Sequence, residues 1–482
     1  MDRQIRIFGI VVVILFAIVF LQLNNLQVRQ AHALANAPGN SRHTTKEFST
    51  PRGEILASDG TVLAKSVPSK DVYKYQRTYP NSTLYSDITG YFSIIYGSGG
   101  VEESYNKYLA GASQITHLSD LLTPNSARLE NVTLTVSPSL QQVAANALGG
   151  KTGAVVAIDP STGAILAMYS NPAFDANPLA SHDPATVKKA WTADTTGTMA
   201  LLDRAYRQSY APGSTFKVIT SSAVYDHQPA LATKAYPVTS QIQLPNTVNT
   251  LHNYNFETCG GMLPELLKVS CDTGFAQVGL DLGAQSLASE AMAFGFDKTP
   301  PLDFPNPAKS NFPPASSFAQ NLPGVAFSAI GQENVSATPL EMAMTAGAIA
   351  DGGTIMAPHV MSKVSNAKGV VTSYSPHPWL QATSAATAST VGQLMVGVVN
   401  GGTASNIAIP GITLAAKTGT SQVGANNALT DDWMIAFGPA GTGQTPTIAV
   451  AAVVPNQPGS ATGSSVSGPI IKAVLAAALG AK

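Results

Sequence analysis

Residues 153–168 read Gly-Ala-Val-Val-Ala-Ile-Asp-Pro-Ser-Thr-Gly-Ala-Ile-Leu-Ala-Met. Two short apolar runs, 154–158 and 164–168, flank Asp159-Pro160-Ser161-Thr162-Gly163. Runs of that length are too short for helices and the residues between them favour a turn, so the stretch predicts a buried β-hairpin. Just upstream, Ser137-Pro138-Ser139 predicts a helix start, with proline suited to the first turn and Leu140, Val143, Ala144 and Ala147 on one face. Strand character returns far downstream at 413–416, 433–437 and 447–454, and Gly468-Pro469 then opens a last apolar helix over 470–479. Between the two groups of strands the patterns are mostly helical. Strands that bracket a helical middle predict an α+β domain, with a central antiparallel sheet joining both ends and helices flanking it. The proline-rich stretch 299–323 reads as a surface excursion.

Ahead of residue 130 the chain is polar and broken by Pro and Gly, with strand-like runs at 53–57 and 61–64 about Ser58-Asp59-Gly60. Earlier still, Ile7 to Leu21 is an apolar run extended by Leu23 and preceded by Arg3 and Arg6 against a single Asp2. A run of this length is long for a signal peptide and short for a membrane span. Ala33-Leu34-Ala35 and Ala35-Asn36-Ala37 resemble cleavage sites, yet they lie about ten residues past the run, farther than such a site usually sits. An uncleaved anchor is the favoured expectation and a cleaved signal the alternative; in both, the basic end stays inside and everything after about residue 25 is exported. The expected organisation is a cytoplasmic tip and transmembrane anchor at 1–24, a small pedestal domain at 25–130 and the α+β domain at 131–482.

Composition narrows the class. Among 482 residues, 27 Lys plus Arg stand against 28 Asp plus Glu, and the charged fraction is 11% where about 25% is usual, which argues against a nucleic-acid partner. With 41 Gly and 32 Pro in no fixed period and 44% hydrophobic residues, the chain is neither collagenous, disordered nor multi-pass. The two cysteines, Cys259 and Cys271, are close in sequence and free to oxidise outside the cytoplasm, so a disulfide is expected, with two unrelated buried thiols as the alternative. Closing that loop contributes about 3 kcal/mol on the chain-entropy account. No cofactor and no metal is expected.

Ser214-Thr215-Phe216-Lys217, after Ala211-Pro212-Gly213, sets a hydroxyl and an amine one helical turn apart at the start of an apolar helix. Serine is a poor nucleophile until a base takes its proton, and a lysine can serve once burial or cationic neighbours lower its pKa. The helix N-terminus adds an N–H for a developing oxyanion. The S-x-x-K pattern alone is common: Ser104 to Lys107 and Ser365 to Lys368 match it too. Ser214 is singled out by two downstream segments, Ser270-Cys271-Asp272 and then Lys417-Thr418-Gly419-Thr420, in the order of the S-x-x-K, S-x-N, K-T-G set of serine penicillin-recognising enzymes. Lys151-Thr152-Gly153 precedes Ser214 and reads as a turn into the first strand. With Gly149-Gly150 it imitates a phosphate loop, but Ala145 stands where that loop needs glycine.

On these residues the sequence resembles a class B penicillin-binding protein, most nearly the actinobacterial penicillin-binding protein A type. The resemblance covers nearly the whole chain. It includes Arg52-Gly53-Glu54-Ile55 with Gly60 and Leu63-Ala64, Gly100-Val101-Glu102 with Tyr108-Leu109-Ala110-Gly111, and the hairpin at 153–172. Gly331-Gln332, Ala337-Thr338-Pro339-Leu340 and Ala350-Asp351-Gly352-Gly353 extend it. Paired cysteines before and within the second motif also occur in some relatives.

The resemblance implies a D,D-transpeptidase that cross-links peptidoglycan stem peptides and is acylated by β-lactams. Ser214 would be the nucleophile, Lys217 its general base and Ser270 the relay to the leaving amine. Lys417 would lower the pKa of Lys217 and hold anionic substrate. Thr418 and Thr420, on either side of Gly419, would bind the terminal carboxylate, and the backbone N–H groups of Ser214 and Thr420 would form the oxyanion hole. Asp272 departs from the family pattern, which usually has Asn: a carboxylate cannot donate to a substrate carbonyl, and it favours the charged form of Lys217 unless Lys417 takes it up. Implied partners are the membrane through residues 7–23, a polytopic glycan polymerase and proteins of the division or elongation machinery. D,D-carboxypeptidases and β-lactam sensors share the motifs, and a catalytically silent division scaffold would share the fold. A sensor would carry several spans before the motif domain, and roughly 105 residues of pedestal leave no room for a glycosyltransferase.

Overall fold

The computed structural model describes residues 2–30, 47–111, 129–424 and 428–481. The apolar run forms α1 (Asp2–Asn24), part of a helix long and apolar enough to cross a membrane. The two candidate cleavage sites, Ala33-Leu34-Ala35 and Ala35-Asn36-Ala37, lie outside the described residues. Strands β1 (Ile55–Leu56) and β2 (Val62–Pro68) make the hairpin expected about Asp59-Gly60, where Asp59 Oδ1 accepts from the Thr61 N–H at 2.9 Å. They are followed by β3 (Tyr75–Thr78) and β4 (Asn131–Leu134). Next come α2 (Pro138–Leu148), β5 (Gly153–Ile158) and β6 (Ile165–Asn171). The helical middle contains α3 (Lys217–His227), α4 (Leu263–Lys268), α5 (Asp272–Ala293) and α6 (Pro339–Ala350). After it come β7 (Met361–Asn366), β8 (Gly369–Ser373) and α7 (Ala385–Val399). The chain closes with β9 (Ala415–Val423), β10 (Leu429–Gly438), β11 (Ile448–Pro458) and α8 (Gly463–Ala478).

The central sheet has the order β9-β10-β11-β5-β6 and is antiparallel throughout. Its first and last strands in sequence meet at β5 and β11, which is the closure that bracketing strands predict. Every residue of β5 is buried, so both faces of the sheet are covered. Helices α2 and α8 pack together on one face, and α6, buried over residues 339–349, packs against β5, β10 and β11 on the other. The expected face of α2 holds for Leu140 and Ala144, and Gln141 is buried as well. Its side-chain amide donates to Met168 O at 2.7 Å and accepts from Met168 N at 2.9 Å, closing part of the open edge of β6. A second sheet, β8-β7-β4-β1-β2-β3, takes its strands from both sides of residue 130.

Three local expectations need correction. The strand expected over 413–416 begins at Ala415 and continues through the K-T-G-T residues to Val423, because continuous pairing with β10 carries residues of low strand propensity. The last helix starts at Gly463 rather than after Gly468-Pro469: Thr462 caps it by accepting from Ser465 N at 3.2 Å, and Pro469 lies inside. The proline forfeits one backbone bond, which the cap and the packing on β10 and β11 outweigh. The proline-rich stretch is a surface excursion only in part, since exposed residues such as Pro301, Asn306 and Ser317 alternate with buried ones. Leu302, Phe304, Phe312 and Phe318 are buried, and Asp303 accepts from the Tyr105 hydroxyl at 2.5 Å and from the N–H groups of Val360 and Met361.

Candidate active site

Ser214 lies in a single 3-10 turn (Gly213–Phe216) that runs into α3, so that Lys217 opens the helix. The turn is fixed from outside. Gly213 N–H donates to Gly331 O at 2.9 Å, and Ala211 O accepts from the Ser421 hydroxyl at 2.6 Å and from the indole N–H of buried Trp433 at 2.9 Å. The last two donors belong to β9 and β10, which therefore hold the serine turn against the edge of the sheet. Gly419 permits that approach: a Cβ there would stand 2.7 Å from Pro212 O and 2.8 Å from Thr215 Cγ2.

Ser270, in the loop between α4 and α5, adopts a left-handed φ of 60°, uncommon for a residue with a side chain. In that conformation its N–H donates to Leu267 O, and its side-chain oxygen sits between two lysines. Lys417 Nζ donates to Ser270 Oγ at 2.7 Å and to Thr418 O at 2.9 Å, while Lys217 Nζ is 3.3 Å from Ser270 Oγ and donates to Ser270 O at 2.7 Å. Asp272 opens α5 and points at Lys217, with Oδ1 at 2.6 Å from Nζ. The Ser214 hydroxyl donates to the same Oδ1 at 3.5 Å. Thus Lys217, not Lys417, takes up the Asp272 carboxylate.

Both lysine side chains are fully buried. Burial pulls Lys217 below its ordinary value of 10.5, and the carboxylate of Asp272 pulls it back up. Lys417 falls well below 10.5 through burial and then through the positive charge of Lys217, with Asp272 acting in the opposite direction. The positive charge of Lys217 therefore eases release of the Lys417 proton, whereas Lys217 itself is lowered by burial, not by Lys417 as the resemblance implied.

The K-T-G-T hydroxyls already have protein partners. Thr418 Oγ1 is 2.7 Å from Thr403 Oγ1, and Thr420 Oγ1 accepts from Gly463 N–H at 3.1 Å, at the start of α8. Cys259 and Cys271 form a disulfide that ties the short strand Cys259–Gly261 to the loop carrying Ser270. Asn253 supports the same loop: its amide donates to Thr239 O and Glu257 O and accepts from Thr273 N at 2.8 Å.

The competing motif matches stand apart. Ser104 and Lys107 are exposed in separate short helices, Ser365 lies near the end of β7 and Lys368 in the β7–β8 turn, and Lys151 and Thr152 are exposed ahead of β5. Sequence reasoning missed Asn253, Thr403 and the anchoring role of Trp433. Only Thr403 carried a signal, the glycine pair that precedes it.

Comparison with known proteins agrees with this geometry. The family described as penicillin binding protein transpeptidase domain matches residues 153–476, and that described as penicillin binding protein A dimerisation domain matches residues 52–132. The chain is 35% identical to the peptidoglycan D,D-transpeptidase PbpA of Mycolicibacterium smegmatis over an alignment that covers 99% of each. Penicillin-binding protein A from M. tuberculosis, solved as a ceftriaxone acyl-enzyme complex, is similar with a TM-score of 0.84 at 35% identity, over 90% of this chain and all of that one. The D,D-transpeptidase domain of a peptidoglycan glycosyltransferase from Eggerthella lenta reaches 0.78 at 34% identity, over 90% and 99% of the two chains. With both descriptions matched in that order and the likeness running from end to end, the chain belongs to the class B penicillin-binding proteins of the penicillin-binding protein A type.

Proposed function

We propose that this protein is a peptidoglycan D,D-transpeptidase that works through a serine acyl-enzyme and is inhibited covalently by β-lactams. The observation that carries this reading is the single hydrogen-bonded cluster of Ser214, Lys217, Ser270, Asp272 and Lys417 at the edge of the central sheet. Ser214 Oγ adds to the carbonyl carbon of the penultimate D-Ala while its proton passes to Lys217 Nζ. The N–H groups of Ser214 and Thr420 receive the developing oxyanion. The C–N bond to the terminal D-Ala then breaks, and its amine takes the proton through Ser270. An amine of a neighbouring stem attacks the acyl-enzyme and restores the Ser214 hydroxyl. Lys417, Thr418 and Thr420, with the Gly419 backbone between the threonines, hold the terminal carboxylate, and Asp272 stands where the usual Asn would donate to a substrate carbonyl.

On this reading residues 1–24 are the cytoplasmic tip and single membrane anchor, 25–130 the pedestal and 131–482 the transpeptidase domain, with the bulk of the chain outside the cytoplasm. A polytopic glycan polymerase and division or elongation proteins are the partners the family implies. The full chain in detergent, given a stem-peptide mimic ending in D-Ala-D-Ala and an amine acceptor, should yield aminolysis product in excess over hydrolysis. Hydrolysis alone would make it a carboxypeptidase, and failure to release D-Ala at all would leave a silent scaffold.

A further inference from the structure

We infer that Thr403 is a positioning residue whose hydroxyl turns the Thr418 proton toward the substrate carboxylate. This rests on the reading that Thr418 binds that carboxylate. The two Oγ1 atoms are 2.7 Å apart, with Thr418 buried and Thr403 half-buried, and either can be the donor. A hydroxyl has one proton. If Thr418 spends it on Thr403, only lone pairs face an incoming anion. If Thr403 donates, the Thr418 proton is free for the carboxylate, and that second bond is strengthened by the first.

The position of Thr403 is built rather than incidental. It follows α7 on a turn whose next residue, Ala404, donates to Val398 O at 3.2 Å, and its own N–H donates at 3.2 Å to the carbonyl of Lys268, the last residue of α4. Gly402 lets this turn press on α4, since a Cβ there would lie 2.4 Å from Lys268 O and 2.7 Å from Val398 O. Thr403 therefore joins the helix that leads to Ser270 with the strand that carries Lys417 and Thr418.

Acylation rates of the full-length protein with benzylpenicillin and with its uncharged methyl ester test the inference. Thr403→Val keeps the shape and removes the hydroxyl. It should slow acylation by the acid roughly three- to tenfold, the usual effect of one hydrogen bond, and leave the ester within about twofold. Thr403→Ser should restore the acid rate, and Thr403→Ala should repeat the selectivity if valine disturbs the turn. Thr418→Val should show the same preference, and adding Thr403→Val to it should cost nothing more. Equal slowing of acid and ester by Thr403→Val, or none, while Thr418→Val still discriminates, would overturn the positioning role alone. Failure of Thr418→Val to discriminate would overturn the carboxylate reading and the positioning role with it.

Discussion

One oxygen of Asp272, 2.6 Å from Lys217 Nζ and 3.5 Å from Ser214 Oγ, engages both partners of the proposed proton transfer. An amide oxygen could accept the same two bonds without the charge, and the amide would also offer an N–H to a substrate carbonyl. Burial drives Lys217 toward the neutral form that a base needs, and the carboxylate opposes it. Asp272→Asn removes the opposing effect, so the pH at which acylation rises should shift down and penicillin acylation should quicken. Restoring one donor is worth about 1 to 3 kcal/mol, or roughly five- to 150-fold in rate if expressed in the transition state. Rates for both forms across pH 5 to 9 check this, and an Asp272→Asn enzyme no faster at any pH would show that the carboxylate does not restrain the base. Motif order alone singled out Ser214, Lys217, Ser270 and Lys417. It could not say which lysine receives Asp272, because that depends on how α5 meets α3 and β9, and Asn253 acts through contacts with no local pattern.

Among the elements, the hairpin 153–168 and the helix at Pro138 were legible because apolar spacing and turn residues agreed there. The ends of β9 and α8 were not. Strand pairing overrides weak propensity through Lys417-Thr418-Gly419-Thr420, and a cap at Thr462 outweighs Pro469. Glu341 on α6 shows what burial of a whole helix entails. Burial pushes its carboxyl up to about 8 from 4.5, against the weaker pull of Ser310 and Lys298. A folded pKa raised above the unfolded one gives stability that is full below pH 4.5 and lost as pH climbs through 8. Glu341→Gln has no charge to suppress, so its gain over wild type should grow from pH 5 to pH 8, reaching the order of a few kcal/mol. Thermal midpoints of both proteins across that range decide it, and parallel pH profiles would contradict the account.

Across the whole molecule, the closing of the central sheet by β5 and β11 followed from strands at both ends of a helical middle, but the six-stranded sheet did not. Its β7 and β8 come from late in the chain, and no local spacing announces a partner so distant. Buried polar contacts then bind early residues to late ones: Asp87 Oδ2 accepts from Ser170 N at 2.8 Å, Ser82 Oγ from Ala176 N at 2.7 Å, and Gln141 donates to Leu84 O at 2.9 Å. The first two join the region matched as a dimerisation domain to the one that carries Ser214, and the third ties the former to α2 between them. The proposed function requires that Ser214, one of three S-x-x-K serines, is the acylated nucleophile. Intact mass spectrometry after incubation with penicillin tests it most directly. The wild-type chain, Ser104→Ala and Ser365→Ala should each gain one penicillin, placed by peptide mapping on Ser214, and Ser214→Ala should gain none. Covalent penicillin on the Ser214→Ala chain would contradict the account.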